Sequence, residues 1–342
     1  MPIRALSFLL VASTVALAQE PAPKPADKPT PPKLGGTEAV QPAPPLAELL
    51  ASDGKPLAAG RIPEDTAPEA RAAWERLFAA TLGQGGARKA VNAFALEIDV
   101  VGSMKKDVKG PNQIAGLYEY AAPGFVRVRF KESKRELLRG PVGDWLVDPA
   151  RNEVLPVERK PDDDADVRQL DDMVAIARNF IALTDPKSLR IARLALRAAP
   201  PPVVGREFTK RAKELVWIGV ESPDFRLTRA PKAGARPTLY EVELGLDPKT
   251  SLPEQALVTE GATTAPLAPT TQFLVLTEWF EADGTKVPKQ VRTFEIDPRT
   301  SAAGATDPLK LAFQRDPTSD VWIVSARMNP PLTAESFRPP KQ

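Results

Sequence analysis

The chain has 342 residues with 46 basic and 44 acidic side chains, so it can bury a sizeable core and carries a formal net charge of only +2. Because the two signs nearly cancel and no basic block occurs, we expect no nucleic-acid partner. The sequence has no cysteine and no histidine, which excludes thiol nucleophiles, thiolate metal sites and disulfides and removes the usual general base. A catalytic site made of carboxylates remains compatible with both absences, whereas most other enzyme designs do not.

The first 18 residues have the pattern of a secretory signal peptide. Arg4 supplies a positive charge, residues 5–17 form an apolar run interrupted only by Ser and Thr, and Ala16-Leu17-Ala18 offers a cleavage site. The run is shorter than the roughly 20 residues needed to span a bilayer, although a retained anchor is the alternative. Lipidation at the cleavage point would require a cysteine. We therefore predict a periplasmic protein that starts at Gln19 and has no membrane segment after cleavage.

Residues 19–67 are predicted to be a proline-rich disordered linker. Residues 19–68 contain 12 prolines in 50 positions. Proline removes a backbone donor and fixes φ, which favours extended, solvated chain. A proline-rich docking segment is the alternative interpretation.

A first helix is predicted from about residue 68, with Thr66 and Pro68 as its cap and first turn. Apolar residues then recur at helical spacing, namely Ala70, Ala73, Trp74, Leu77, Phe78 and Leu82, and Gly83 ends the segment. We take 68–342 as a single folded domain.

Strands with one apolar face follow the helix. Phe94, Leu96, Ile98 and Val100 alternate with polar residues, and Val126, Val128 and Phe130 alternate with basic ones. The pattern returns in 216–220, 240–246, 273–280 and 321–328, and Asp283-Gly284 predicts a tight hairpin. Such alternation is typical of an antiparallel sheet with one wetted face. No glycine-rich phosphate loop follows a strand, so we expect no nucleotide cofactor.

A second helix is predicted inside the strand region. Apolar residues fit a 3.6-residue period, namely Val167, Leu170, Met173, Val174, Ala177, Phe180 and Ile181. Asp162, Asp164 and Asp166 precede it with the spacing of a calcium loop, but Val167 and Met173 occupy the positions where glycine and glutamate are needed. We expect no metal site, because these two required positions fail. The aspartates have another explanation, since the positive N-terminal end of the helix dipole favours carboxylates.

Several motifs resemble those of the LolA-like family, the periplasmic outer-membrane lipoprotein carrier proteins and their relatives. They are the strand end with Tyr120, Pro123 and Phe125, the hairpin "ELLRGPVGDWLVDPARNEVLPV" with Leu137, Leu138, Trp145, Asp148 and Pro149, the strand pair "YEVELGLDPKTSLPEQALV" and the closing "LTAESFRPP". The order of elements is similar from residue 68 to residue 340.

The resemblance implies an α+β fold, in which a curved antiparallel sheet forms an incomplete β-barrel covered by a helical lid. In the family, the space between sheet and lid holds lipid or lipoprotein acyl chains. By this analogy the ligand-binding residues are Phe94, Leu96, Ile98, Val128, Phe130 and Trp145 from the sheet and Met173, Phe180 and Ile181 from the second helix. Packing in an ordinary core is the alternative role for each of them.

Two departures from the family pattern bear on function. An arginine that precedes the strand-end proline in the carriers, and that ties the lid to the sheet, is replaced by Ala122, so this contact is missing or replaced. Extra sequence also occurs around 198–213 and 260–271.

The leading hypothesis is an exported non-enzymatic protein that binds lipid or lipoprotein acyl chains. The alternative is an envelope sensor or interaction module with a protein partner, and a carboxylate-based hydrolase is a third hypothesis.

Overall fold

A computed structural model of the chain describes residues 49–82, 90–102, 113–157, 165–201, 208–225, 239–260, 271–295 and 319–340, and the structural statements below concern these residues. The predicted signal peptide (1–18), most of the proline-rich segment (19–48), Gly83 and the aspartates 162–164 lie outside them.

The first helix, α1 (Pro68–Thr81), forms as predicted. Proline occupies its first turn, where the missing N–H costs nothing, and Trp74 and Leu77 are buried on the face that meets the sheet. The predicted cap is wrong, because Ala67 occupies the N-cap position and no side chain caps the helix there.

Thirteen strands follow. The first six are β1 (Ala93–Gly102), β2 (Gln113–Ala121), β3 (Phe125–Phe130), β4 (Glu136–Gly140), β5 (Gly143–Asp148) and β6 (Glu153–Pro156). The others are β7 (Arg193–Arg197), β8 (Val216–Ser222), β9 (Tyr240–Leu246), β10 (Pro253–Glu260), β11 (Thr271–Ala282), β12 (Thr285–Glu295) and β13 (Ser319–Met328).

These strands form one sheet in the order β6-β5-β4-β3-β2-β1-β13-β12-β11-β10-β9-β8-β7. The chain begins in the middle, meanders to one edge, crosses to the opposite edge and meanders back, so every neighbouring pair is antiparallel. Within the described residues β6 and β7 each pair with one neighbour only, and the sheet does not close. The predicted curved antiparallel sheet of an incomplete barrel is confirmed.

The hairpin between β11 and β12 shows why local sequence specifies local structure here. Asp283 and Gly284 have φ values of 45° and 76°, and the flanking Ala282 and Thr285 pair directly. Two positive φ angles are what a two-residue turn needs to match the twist of its strands. This predicted turn is confirmed.

The crossing between the two edges is made by α2 (Ala165–Thr184) and a short 3-10 helix (Pro186–Ser188). A helix of 20 residues is roughly 30 Å long at ~1.5 Å per residue. It contacts β3 and β4 on one half of the sheet and β12 on the other, while α1 contacts β7, β8 and β12. Both helices therefore lie on the same apolar face of the sheet, and the predicted second helix is confirmed.

Residues 49–67 correct the predicted extent of the linker. The Ser52 amide donates to the Ala192 carbonyl oxygen at 2.8 Å. Asp53 accepts two hydrogen bonds from the Arg61 guanidinium, at 2.7 and 2.8 Å. The ion pair braces the segment internally, while the bond to Ala192 and one from the Gly60 amide to the Leu189 carbonyl oxygen at 2.9 Å hold it on the domain. The folded part therefore begins before residue 68.

The opposite, outer face of the sheet carries a separate apolar cluster under the C-terminal 3-10 helix (Ala334–Phe337). Phe337 is fully buried there, and its ring lies 5.8 Å from that of Phe125. A Cβ on Gly140 would lie 1.9 Å from the Phe337 carbonyl oxygen. Only glycine at that position lets the C-terminal segment approach β4 this closely.

Candidate functional site

The inner apolar surface beneath α2 brings together eight of the nine residues that the sequence predicted for ligand binding. They are Phe94, Leu96 and Ile98 on β1, Val128 and Phe130 on β3, and Met173, Phe180 and Ile181 on α2. All eight belong to, or pack against, one continuous apolar cluster. The alternation in β1 and β3 and the helical period in α2 placed these side chains on the correct faces.

Trp145 is the exception, because it lies on the outer face. It pairs with Leu138 and packs in the cluster with Phe337, whereas its neighbour Leu146 pairs with Leu137 and faces the inner core. Side chains along a strand alternate, so a shift of one residue moves every side chain to the other face. The sequence predicted Trp145 as a ligand-binding residue, but Leu146 occupies the position on the inner face.

The inner surface is filled by aromatic contacts between β1, β2 and α2. The Phe94 ring lies 4.8 Å from the Phe180 ring in an edge-on arrangement. It also contacts Tyr118 edge-on and Tyr120 in a stacked arrangement, each at 5.4 Å. Such pairs add about 0.5–1.5 kcal/mol to the effect of area burial. In this conformation α2 and the sheet are therefore in direct contact along the predicted site.

Tyr118 ties α2 to the sheet through its hydroxyl group. The hydroxyl donates to the Met173 carbonyl oxygen and accepts from the Ala177 amide, two groups that an α-helix joins by its own hydrogen bond. Burial raises the pKa of Tyr118 well above its ordinary value, with the neighbouring Tyr120 adding to the effect and the bond from Ala177 opposing it. The phenol therefore stays neutral and able to donate. Tyr118 was not predicted from the sequence, although "GLYEY" places it in alternation with Tyr120.

A second contact joins α2 to β2, close to the strand end where Ala122 stands in place of the arginine of the family motif. Arg178 of α2 hydrogen-bonds to the Tyr120 hydroxyl, so here the helix carries the cation and the sheet carries its partner. Burial raises the pKa of Tyr120, while the charge of Arg178 and this hydrogen bond oppose the rise. Of the two outcomes expected for the lid contact, missing or replaced, the bond between Arg178 and Tyr120 fits a replacement.

The C-terminal end of α2 is fixed to the start of β1. The carboxylate of Asp185 accepts a hydrogen bond from the Val91 amide at 2.9 Å, and Asp185 is buried. The Thr184 hydroxyl donates to the Phe180 carbonyl oxygen at 2.8 Å. This bond adds a side-chain donor at the end of the helix, where the last carbonyl groups are left without a backbone N–H of the helix. These contacts make the end of α2 a fixed point about which the rest of the helix packs.

Two surface clefts adjoin this fixed end and share Ala122 in their walls. The larger, of about 350 Å³, is bounded by Asn92 and Asn329, and the Asn329 amide oxygen accepts from the Asn92 N–H at 2.8 Å. The other, of about 260 Å³, lies between Arg178 of α2 and Tyr120 of β2. It borders the apolar cluster beneath α2, because several of its wall residues belong to that cluster.

No family model matches the chain, and no curated protein matches it. Among solved structures, it is similar to a DUF1329 family protein from Desulfovibrio piger, at 12% identity over 79% of this chain and 97% of that one, with a TM-score of 0.37. It is also similar to a LolA superfamily protein from Nitrosomonas europaea, at 10% identity over 79% and 97%, with a TM-score of 0.43. An outer membrane lipoprotein-sorting protein domain from Vibrio parahaemolyticus is similar at 9% identity over 78% and 97%, with a TM-score of 0.37.

The open antiparallel sheet with two helices on its apolar face is the incomplete barrel with a helical cover that the sequence resemblance implied. Two of the three similar structures are described as a LolA superfamily protein and a lipoprotein-sorting protein domain. Among the described helices, none has both the length and the apolar character that crossing a bilayer requires.

Proposed function

We propose that this is an exported, non-enzymatic binding protein, in which α2 is a lid over an apolar surface that receives lipid or lipoprotein acyl chains. The observation that carries the proposal is the position of α2. It covers the inner face between β3–β4 and β12 with apolar side chains, although no strand ladder includes it. A helix that the sheet does not need for its own hydrogen bonds can leave while the sheet persists.

The forces that hold α2 support this proposal. Its described polar ties to β2 are the hydroxyl groups of Tyr118 and Tyr120, and its remaining attachment there is apolar contact. Apolar contact is non-directional, so an acyl chain can replace the side chains of the lid at little cost in specific bonds. Met173 lies in the contact, and its flexible thioether suits a surface that must repack around a chain.

Export and the lack of enzymatic activity rest on the sequence. Arg4, the apolar run and Ala16-x-Ala18 support a cleaved signal peptide and a periplasmic location. The complete lack of histidine and cysteine supports binding rather than catalysis, since most hydrolytic sites use one of the two.

The second candidate function is an envelope sensor or interaction module on the same fold, in which a protein partner binds and α2 stays in place. The observation that favours it is the filled inner surface, where Phe94 contacts Phe180 directly. The two functions differ in one respect that can be measured, which is whether α2 must move.

A reversible cross-link tests that difference. A Cβ on Gly124, in the turn between β2 and β3, would lie 3.9 Å from Cγ1 of Val174 on α2. Cysteine side chains at these two positions would therefore be direct neighbours, the arrangement from which a disulfide can form. The chain has no cysteine of its own, so Gly124→Cys combined with Val174→Cys can form only this bond within one molecule.

The double variant should bind a fluorescent fatty acid when reduced and lose that binding when oxidised, because the disulfide holds α2 on the sheet. The Val174→Cys single variant is the matched control, and its binding should not depend on redox state. Equal binding by the reduced and oxidised double variant would show that α2 is not a lid. Absence of binding by the wild type would favour the interaction module.

A further inference from the structure

The cleft beside the C-terminal end of α2 combines apolar walls with charged groups. Val91 and Leu189 in its walls are buried core residues, and Ile181 packs against the same core from α2. The polar groups at its rim include Tyr120 and Arg178, which hydrogen-bond to each other. The cleft is therefore a surface opening that leads to the contact between α2 and the sheet.

The charges at the rim do not balance. Arg190 and Asp224 neutralise each other, since the guanidinium donates to the carboxylate at 2.6 and 3.0 Å and the Arg190 amide donates to it at 2.7 Å. Arg178, by contrast, has the neutral Tyr120 hydroxyl as its partner, and none of the described carboxylates forms an ion pair with it. Among the residues that the structure describes, one positive charge in the cleft is thus left without a counter-charge.

An unbalanced cation at the mouth of an apolar passage is complementary to an anionic amphiphile. We propose that this cleft receives the anionic head group of a single-chain acyl ligand, that Arg178 binds its carboxylate or phosphate, and that the chain enters past Ile181 between α2 and the sheet. The inference rests on the proposed function and adds the chemical class of the ligand and the point of its entry.

The size of the cleft fits a head group better than a whole lipid. Its volume is about 260 Å³, below the roughly 300–1,000 Å³ of sites that enclose a complete small ligand. The acyl chain must therefore displace apolar side chains of α2, beginning with Phe180, which is the neighbour of Ile181 in the chain and belongs to the core.

Head-group binding and release of the lid are linked through Arg178. Hydrogen bonds between two charged groups are stronger than those to a neutral partner, so an anion competes with Tyr120 for the guanidinium. An anion bound there removes one of the two described polar ties between α2 and β2. A ligand whose acyl chain requires α2 to move would therefore also weaken the polar contact between α2 and β2.

The test compares three ligands with the same 16-carbon chain, which are hexadecanoic acid, hexadecyl phosphate and hexadecanol, by displacement of a neutral fluorescent probe at pH 8. The wild type should bind at least one of the two anions about tenfold or more tightly than the alcohol, as expected for a charged hydrogen-bonded pair. Preference for the acid indicates a fatty acid, and preference for the phosphate indicates a phospholipid-derived ligand.

Arg178→Gln should lose the preference for the anions and bind the alcohol at least as tightly as the wild type does, because the tie from Arg178 to Tyr120 is gone. Arg178→Lys should keep most of the preference. Arg193→Gln, at an arginine on β7 whose side chain is 65% exposed, is the matched control and should behave as the wild type. Equal affinity of the wild type for acid, phosphate and alcohol would overturn the head-group inference alone. A preference that survives in Arg178→Gln would overturn it as well, and failure of all three ligands to bind would overturn the proposed function.

Discussion

Tyr118→Phe should increase the apparent affinity for an acyl ligand while it lowers the stability of the closed protein. The change keeps the ring that lies 5.4 Å from Phe94 and removes only the hydroxyl that bonds to Met173 and Ala177. A hydrogen bond of this kind contributes a net of about 0.5–1.5 kcal/mol. Because Met173 and Ala177 can bond to each other when the hydroxyl is gone, no buried group loses all partners, and we expect a loss of about 1 kcal/mol.

A loss of about 1 kcal/mol in the closed state alone raises the open population roughly fivefold. When the open form is a small fraction, the apparent dissociation constant is the intrinsic constant divided by that fraction, so it should fall by about the same factor. The measurement is titration of wild type and variant with a fluorescent fatty acid, alongside urea unfolding. Tyr240→Phe, which removes a hydroxyl from β9 on the other half of the sheet, is the control and should leave affinity unchanged. A Tyr118→Phe protein that is less stable but binds no more tightly would refute the lid argument.

Four further predictions concern stability and processing. Gly140→Ala should destabilise the fold by several kcal/mol, because its Cβ would overlap the Phe337 carbonyl oxygen at 1.9 Å, and a lower midpoint in urea would check this. Burial raises the pKa of Asp247, but amide hydrogen bonds and Arg211 outweigh burial and lower the pKa to about 2. The ionised carboxylate should therefore add about 2 kcal/mol to the free energy of unfolding above pH 4, and this contribution should disappear as the pH falls toward 2. Unchanged stability of the wild type relative to Asp247→Asn over that range would contradict the prediction. Deletion of residues 19–48 should leave the thermal midpoint within about a degree, since their prolines leave little surface to bury. The exported protein should begin near Gln19 on N-terminal sequencing.

Local patterns in the sequence determined much of this protein. The period of 3.6 in α2 and the alternation in β1 placed Phe180 and Phe94 each on the apolar face of its own element, because burial of one face is what a helix or strand contributes to a core. Asp283-Gly284 fixed a hairpin, since few residue pairs tolerate two positive φ angles. The lack of histidine and cysteine by itself excludes an imidazole base, thiol nucleophiles and thiolate metal sites.

Tertiary structure decided the features that depend on register and on distant partners. The pairing of Leu138 with Trp145 turned the tryptophan to the outer face, and no local pattern distinguishes that register from its neighbour. Residues 49–67 pack on the domain through partners such as Ala192, which lies more than a hundred positions away. The contact between Arg178 and Tyr120 arises only when the chain crosses from one sheet edge to the other and lays α2 over β2, because sequence patterns record which face of an element is apolar but not which elements meet.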